Sequence, residues 1–178
     1  HEENAPLKPG IITQQSSVIN LENPEEELFS KINSTFKLHI KKAERLNIKT
    51  QVDFSPSIQK CRNALAEFSV FARLKSIEYN PKRILALQKS NNLIIAEAFD
   101  NNSTLLVTHI YLHDSNEVLL LHSFANKNST DNKLRGYANK LLHWQEFIEF
   151  KKFGLKIYNF GGINPAKHPG ISKFKLSF

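Results

Sequence analysis

Three apolar segments follow one another in the middle of the chain and constrain its fold more than any other feature. They are LIIAEAFD, LLVTHIYLHD and EVLLLHSFAN, separated only by NNST and SN. Apolar, partly β-branched runs of this length, bounded by polar turn residues, are typical of strands joined by tight turns. Strands joined by such short connections run antiparallel. The sequence therefore predicts a three-stranded antiparallel meander.

Helix signals lie on both sides of this meander. A capping polar residue followed by proline marks the start of a helix, and it occurs three times, which predicts helices over 24–46, 57–74 and 81–89. A fourth helix follows the meander, because apolar residues recur at helical spacing and Gly154 supplies a C-cap. Its apolar positions are Tyr137, Leu141, Trp144 and Ile148.

Short strands at VINL, IKTQVDF and LKIYNF complete the predicted order, β-α-β-α-α-β-β-β-α-β plus a tail. This order indicates a mixed α/β (α+β) domain with a largely antiparallel central sheet flanked by helices. The 178 residues suit one domain, which we place at 17–178. Residues 1–16 are expected to be a disordered or processing-derived N-terminus outside the fold.

Composition limits the cellular setting. No apolar run approaches the roughly 20 residues of a transmembrane helix, and the first ten residues lack the features of a signal peptide. A single cysteine, Cys61, excludes an intrachain disulfide framework and favours a cytoplasmic location. The net charge of +7 permits an anionic partner, such as a phosphate-bearing cofactor, RNA or the inner face of a membrane.

The C-terminal segment YNFGGINPAKHPGISKFKLSF carries the strongest functional signal. Glycines after a strand permit a positive φ or close approach of a substrate. A lysine beside an aromatic ring that excludes water can stabilise a developing negative charge, and Lys175 follows Phe174 in this way. The alternative is an edge strand in which Lys173 and Lys175 face solvent and Phe174 points inward.

This segment, the order of elements and the basic stretch LHIKKAERLNIK resemble the FemAB-type acyltransferases, within the GCN5-related N-acetyltransferase (GNAT) fold. The resemblance covers 18–178. It implies an activated acyl donor, either an aminoacyl-tRNA or an acyl thioester such as acyl-CoA. It also implies that the acyl group passes to an amine on a cell-envelope precursor.

The resemblance also assigns roles to individual residues. It implies that Phe174 and Lys175 line the channel that holds the acyl ester and serve catalysis. The substrate-binding residues that it implies lie at the end of the last strand and in the basic helix tail, at Gly161, Gly162, Lys41 and Lys42.

One motif departs from the fold's usual pattern. KLRGYANK, before the long helix, contains only Arg135, Gly136 and Ala138 of the pyrophosphate loop used by coenzyme A acetyltransferases. Arg135 and Gly136 can still hold a phosphate at a helix N-terminus, but acyl-CoA is the less favoured donor and no cofactor is assigned. A coenzyme A-dependent N-acetyltransferase therefore stays open as an alternative.

Peptidoglycan-bridge members of the family have two such domains, and only one is present in this sequence. The second reading is therefore a module that has kept the fold without the reaction and binds tRNA or an anionic envelope precursor. A homo-oligomer could otherwise rebuild the acceptor cleft.

Candidate general bases and metal ligands are less specific. The strand residues Glu97, His109 and His122 could act as a base, although each is more readily a hydrogen-bonded structural residue. Three further histidines do not show ligand spacing with cysteine or aspartate, so no metal is predicted; they are His113, His143 and His168.

Overall fold

A six-stranded sheet organises the part of the chain that this computed structural model describes, which is residues 15–75, 77, 79–126, 129 and 131–178. The predicted N-terminal segment 1–16 lies almost wholly outside these residues. The strands are β1 (Ser16–Asn20), β2 (Lys49–Asp53), β3 (Leu93–Phe99), β4 (Leu105–His113), β5 (Glu117–Ala125) and β6 (Ile157–Gly162). Their order across the sheet is β1-β6-β5-β4-β3-β2.

The predicted meander is confirmed. Strands β3, β4 and β5 pair antiparallel in sequence, with Ala96 opposite His109 and His109 opposite Ser123. Strands β2 and β1 extend the sheet antiparallel at its two edges, and only β5 and β6 run parallel. The sheet is therefore mixed and largely antiparallel, as the sequence predicts.

Six helices occur in the described residues: α1 (Glu25–Lys31), α2 (Ser34–Arg45), α3 (Ile58–Lys75), α4 (Pro81–Lys89), α5 (Asn132–Phe153) and α6 (Pro169–Lys175). The long helix α5 begins where the Asp131 carboxylate accepts from the N–H groups of Lys133 and Leu134. It ends at Gly154, whose φ of 99° is left-handed. None of the helices that the structure describes is long and apolar enough to cross a bilayer.

The helices cover both faces of the sheet and enclose two apolar cores. One core lies under α1, α2 and α5 and contains Ile40, Ile94, Leu142, Phe147, Phe150 and Phe160. The other lies under α3 and α4 and contains Cys61, Leu65, Phe68, Ile84, Ile95 and Ile110. The α5 helix therefore lies on one face of the sheet and α3 on the other.

The predicted single helix over 24–46 is wrong, because the helix is interrupted between α1 and α2. Ile32 and Asn33 have extended backbone, with ψ of 137° and 141°. The Asn33 side chain accepts from the Thr35 N–H at 2.9 Å, and its own N–H donates to the Ser177 carbonyl at 2.8 Å. An asparagine that satisfies backbone groups in this way competes with a continuous helix, and the break also anchors the C-terminal end.

The tail forms a helix, so the alternative of an edge strand carrying Lys173 and Lys175 is wrong. Pro169 occupies the first position of α6, where its restricted φ favours a helix. Lys173 is exposed, whereas Phe174 and Lys175 are half-buried. The short helix therefore turns the Phe-Lys pair toward the sheet.

Replacing Asn33 should destabilise the fold through the loss of its cap. We expect Asn33→Ala to lower the free energy of unfolding by about 1 kcal/mol, because the Thr35 N–H loses its acceptor. Urea denaturation followed by circular dichroism measures the change. The neighbouring exposed Ser34→Ala is the control and should not destabilise; equal unfolding free energies for Asn33→Ala and the unsubstituted chain would contradict this role.

Candidate functional site

The end of β6 and helix α6 form the first part of the site. Gly161 has a φ of +75° and donates its N–H to the Asn159 side chain at 2.7 Å. The next carbonyl, that of Gly162, accepts from the Lys175 amino group at 2.8 Å. A Cβ on Gly161 would lie 3.9 Å from the same amino group. The structure therefore brings Lys175 together with both glycines.

This group lies where β5 and β6 separate. The two parallel strands pair only from Glu117 to Leu119. Gly161 lies against the Leu119 side chain and the Leu120 carbonyl, the last point at which the strands are close. Beyond it, β5 continues to Ala125 without a partner strand on that side among the described residues. The Lys175 amino group therefore stands at the start of a gap between two strands.

Aromatic rings enclose one side of this position. The Phe174 ring centroid lies 5.3 Å from that of Phe36, 5.5 Å from that of Phe178 and 5.6 Å from that of His143. Burial lowers the pKa of Lys175 from its ordinary value of 10.5. A cation in such a partly dry position interacts more strongly with a nearby negative charge than it would in water.

A cavity of about 480 Å³ forms the second part of the site. It lies along the part of β5 that does not pair with β6, between α3 and the first turns of α5. The Arg135 guanidinium lines it and donates to the Asn126 carbonyl at 3.4 Å and to the Asn132 side chain. Its other lining residues include Val70, Phe71, Leu74, Ser123, Gly136 and Asn139. Arg135 and Gly136 thus lie together, at a different place from Lys175.

Lys140 connects the two parts. Its amino group donates to the Gly136 carbonyl at 3.0 Å and lies 4.7 Å from the centre of the Phe36 ring. It also lies 5.8 Å from the centre of the Phe174 ring. Burial lowers the pKa of Lys140. One side chain of α5 therefore contacts both the cavity wall and the aromatic cluster beside Lys175.

Lys41 and Lys42 lie elsewhere. Both are exposed near the C-terminal end of α2, and neither forms an ion pair with another residue in the described part of the chain. The structure does not bring them to Lys175 or into the cavity. They remain available to a partner outside the chain.

A fully buried polar network lies between α5 and the sheet. The Glu146 carboxylate accepts from His109 Nδ1 at 2.7 Å and from the Tyr111 hydroxyl at 2.5 Å. The Tyr158 hydroxyl lies 2.7 Å from the Tyr111 hydroxyl and 2.7 Å from His143 Nδ1. The carboxylate therefore joins α5 to strands β4 and β6 through side chains alone.

The network surrounds an ionised carboxylate with hydrogen-bond partners. Burial alone would raise the pKa of Glu146, but the charge of His109 and hydrogen bonds from His109 and His143 outweigh it and hold the pKa at about 2. Burial, with the charge of His109, lowers the pKa of His143 to about 4. Burial raises the pKa of both tyrosines well above 10. At neutral pH the carboxylate is ionised and His143 is neutral.

The same residues do not fit a metal ion as they stand. Ligand atoms of His109, His143 and Glu146 lie within 4.8 Å of one another. They are, however, joined directly, with 2.7 Å between Glu146 and His109 and 3.2 Å between Glu146 and His143. A metal at about 2.0–2.2 Å from each ligand would have to replace these contacts. That the chain holds no metal stays a prediction.

The sequence pattern pointed to only part of this arrangement. Of the three candidate bases, Glu97 forms an ion pair with Lys60 at 3.1 Å, His122 stacks on Phe68, and His109 enters the buried network. The residues that sequence reasoning missed are Tyr111, Asn139, Glu146 and Tyr158. For the two residues of α5, Asn139 and Glu146, the signal in the sequence was their spacing. They recur with His143 at positions i, i+4 and i+7 and therefore share one face of the helix.

Comparison with known proteins identifies the fold. No protein-family model matches the chain, and no curated protein matches it. FemX matches with a TM-score of 0.71 at 10% identity, over 93% of this chain and 58% of FemX. A second match is the C-terminal domain of an Agrobacterium fabrum protein assigned as a lysylphosphatidylglycerol synthetase. Its TM-score is 0.58 at 9% identity, and the match covers 93% of this chain and 52% of that one. L-PGS from Bacillus licheniformis matches with a TM-score of 0.53 at 12% identity, over 84% of this chain and 46% of L-PGS.

The fold is therefore GNAT-like, as the sequence predicts. FemX belongs to the FemAB family, so the resemblance seen in the sequence is confirmed at the level of fold. The chain spans about half the length of the structures that it matches.

The neutral, buried His143 makes stability depend on pH. The unfolded histidine has a pKa of 6.5 and the folded one of about 4, so the unfolded state binds more protons between these values. The contribution of His143 to stability is therefore present above pH 6.5 and falls as the pH drops toward 4, by about 3 kcal/mol at 1.36 kcal/mol per pKa unit. Urea denaturation at pH 7 and pH 4.5 measures the fall.

The His143→Asn variant isolates this contribution. It removes the titrating ring, so its unfolding free energy should drop less than that of the unsubstituted chain over the same pH interval. The Glu146 carboxylate does not interfere, because its stabilisation is present above its unfolded pKa of 4.5 and is lost toward pH 2. The same pH dependence in both proteins would show that His143 is not neutral when folded.

Proposed function

We propose that this chain is an acyltransferase that moves an acyl or aminoacyl group from an activated donor to an amine in cell-envelope biosynthesis. The proteins that share its fold support this reaction class. FemX and the lysylphosphatidylglycerol synthetases are acyl or aminoacyl transferases of envelope biosynthesis. The cytoplasmic location predicted from the single cysteine belongs to the same proposal.

The position of Lys175 carries the proposal. Its amino group is half-buried, stands beside the gap between β5 and β6, and bonds to the Gly162 carbonyl at 2.8 Å. A substrate that enters the gap and displaces this contact meets a cation whose surroundings are partly apolar. Such a cation stabilises negative charge that develops on a carbonyl oxygen.

The reaction follows from this charge. The neutral acceptor amine attacks the carbonyl carbon of the donor, and the carbonyl oxygen becomes an oxyanion opposite Lys175. This attack forms the C–N bond, and collapse of the tetrahedral intermediate restores the carbonyl and breaks the C–O bond of an ester or the C–S bond of a thioester. The amine loses one proton, and the departing alcohol or thiol gains one. Phe174 and its aromatic neighbours limit the access of competing water.

The carrier of the acyl group, which is the tRNA or the coenzyme A part of the donor, binds at a separate site. We assign it to the cavity along the unpaired part of β5, where Arg135 and Gly136 can hold a phosphate near the first turn of α5. An aminoacyl-tRNA is the favoured donor, because the exposed Lys41 and Lys42 can contact an RNA backbone. Acyl-CoA is the alternative, since its pyrophosphate would suit the same end of the cavity.

Lys175 should be essential as a cation. We expect Lys175→Met to lower kcat by about 10²–10³-fold, because the variant keeps the apolar stem and loses the charge that faces the oxyanion. Product is measured as a mass increase of a lysine-containing peptidoglycan-precursor peptide, with alanyl-tRNA or acetyl-CoA as the donor.

The exposed neighbour Lys173→Met is the matched control and should keep full turnover. Full turnover by Lys175→Met would contradict the proposed role of Lys175. If neither donor gives product although one of them binds, the chain is instead a binding module that has kept the fold.

The pH profile should identify the same group. Burial lowers the pKa of Lys175 below 10.5, so its positive charge is present at neutral pH and is lost at a lower pH than for an exposed lysine. We expect kcat to fall on the alkaline side for this reason. In Lys175→Arg the fall should move to higher pH, because the guanidinium stays charged; an alkaline limb at the same pH in both proteins would assign it to another group.

A further inference from the structure

We infer that Asn139 binds a hydrogen-bond acceptor on the carrier of the acyl donor, and that the buried pair of His109 and Glu146 holds Asn139 in the orientation that this requires. The inference rests on the proposed function and adds a binding residue and two positioning residues to it. None of the three belongs to the Lys175 group described above.

Asn139 connects the cavity to the buried network. It lies on α5, is half-buried and lines the cavity. Its side-chain oxygen lies 2.7 Å from His109 Nε2. The other side-chain atom, Nδ2, forms no hydrogen bond with any residue that the structure describes. The amide is therefore held at one end only.

The hydrogen bond with His109 determines which end of the Asn139 amide faces the cavity. A buried carboxylate needs a compensating charge, and the other side chains bonded to Glu146 are neutral. Both ring nitrogens of His109 face oxygens that can only accept, the Glu146 carboxylate at Nδ1 and the Asn139 side-chain oxygen at Nε2, so both nitrogens donate. Nδ1 donates to Glu146 and Nε2 donates to the oxygen of Asn139. The amide cannot turn over without placing two donors against each other, so its NH₂ group stays on the cavity side.

The surroundings of this NH₂ group indicate what it binds. Its two N–H donors suit a carbonyl or hydroxyl oxygen. Val70, Phe71 and Leu74 form an apolar wall of the cavity, and residues 123–125 of β5, which do not pair with β6, form another part of it. An extended, uncharged stretch of the carrier fits such a wall, with its phosphates toward Arg135. The ligand group is thus an amide carbonyl of a thioester carrier or a ribose hydroxyl of an RNA end.

The energetics favour a role beyond stability. A buried ion pair is a weak source of stability, because the desolvation cost is comparable to the attraction, and apolar replacements of similar volume are often neutral. A fixed amide orientation at a cavity wall is an advantage that apolar residues would not supply. The pair of His109 and Glu146 is therefore a positioning device in this account.

Asn139→Asp separates binding from packing. The aspartate keeps an acceptor for His109 Nε2 but loses both N–H donors and places an oxygen against the acceptor on the ligand. The matched control is Asn101→Asp, which makes the same chemical change in the exposed turn between β3 and β4. Glu146→Gln is the second variant, because it replaces the carboxylate that accepts from His109 Nδ1 without altering a residue that lines the cavity.

Isothermal titration calorimetry with two stable donor analogues measures the effect. The probes are S-ethyl-coenzyme A and 3′-alanylamino-3′-deoxyadenosine, the amide analogue of an aminoacylated RNA end. We expect Asn139→Asp to weaken the analogue that binds by at least tenfold, Glu146→Gln to weaken it in the same direction, and Asn101→Asp to bind normally. In turnover, Asn139→Asp should raise KM and leave kcat nearly unchanged, the opposite of the Lys175 variants.

Each result decides one claim. Normal affinity of folded Asn139→Asp would overturn the inference and leave the proposed function intact. Failure of both analogues to bind the unsubstituted chain would contradict the proposed function, and the inference would fall with it. If Glu146→Gln does not fold, imidazole ¹⁵N spectra of the unsubstituted chain at pH 7 test the orientation directly. Two protonated nitrogens on His109 support it, and one overturns it.

Discussion

The burial of one ionised carboxylate, Glu146, is the constraint on which the arrangement of the site depends. An ion that is removed from water has to be compensated by charge and hydrogen bonds, and its partners come from β4, β6 and α5 itself. Satisfying them sets both the rotation and the position of α5 on the sheet. That position places Asn139 at the cavity, the Lys140 amino group over the Phe36 and Phe174 rings, and the His143 ring beside Phe174.

The second determinant is the short parallel pairing of β5 and β6. Helix α5 connects these two strands, which pair only from Glu117 to Leu119 and separate beyond it. The positive φ of Gly161 turns the chain away at this point, and α6 returns to place Lys175 there. A gap that opens beside a half-buried cation, with a cavity farther along the same strand, suits an activated acyl group and its long carrier.

The sequence predicted those features that local signals specify. The meander, α4 and α5 follow from apolar runs, turn residues and caps within a few positions of one another. The break at Asn33 could not be predicted, because the Ser177 carbonyl that binds its N–H lies at the other end of the chain. The burial of Glu146 was missed for the same reason, since its partners are distant in sequence. Lys175 and Gly162 were linked by family resemblance alone, and their contact is visible only in the structure.

The central claim is that an activated donor lies along the unpaired part of β5 with its carbonyl at Lys175. A crystal structure of the chain with 3′-alanylamino-3′-deoxyadenosine or S-ethyl-coenzyme A tests it most directly. The account predicts that the carrier occupies the cavity between α3 and α5 and that the acyl end reaches the Lys175 amino group in place of the Gly162 carbonyl. An analogue bound on another face of the sheet, with the contact between Lys175 and Gly162 intact, would contradict the account.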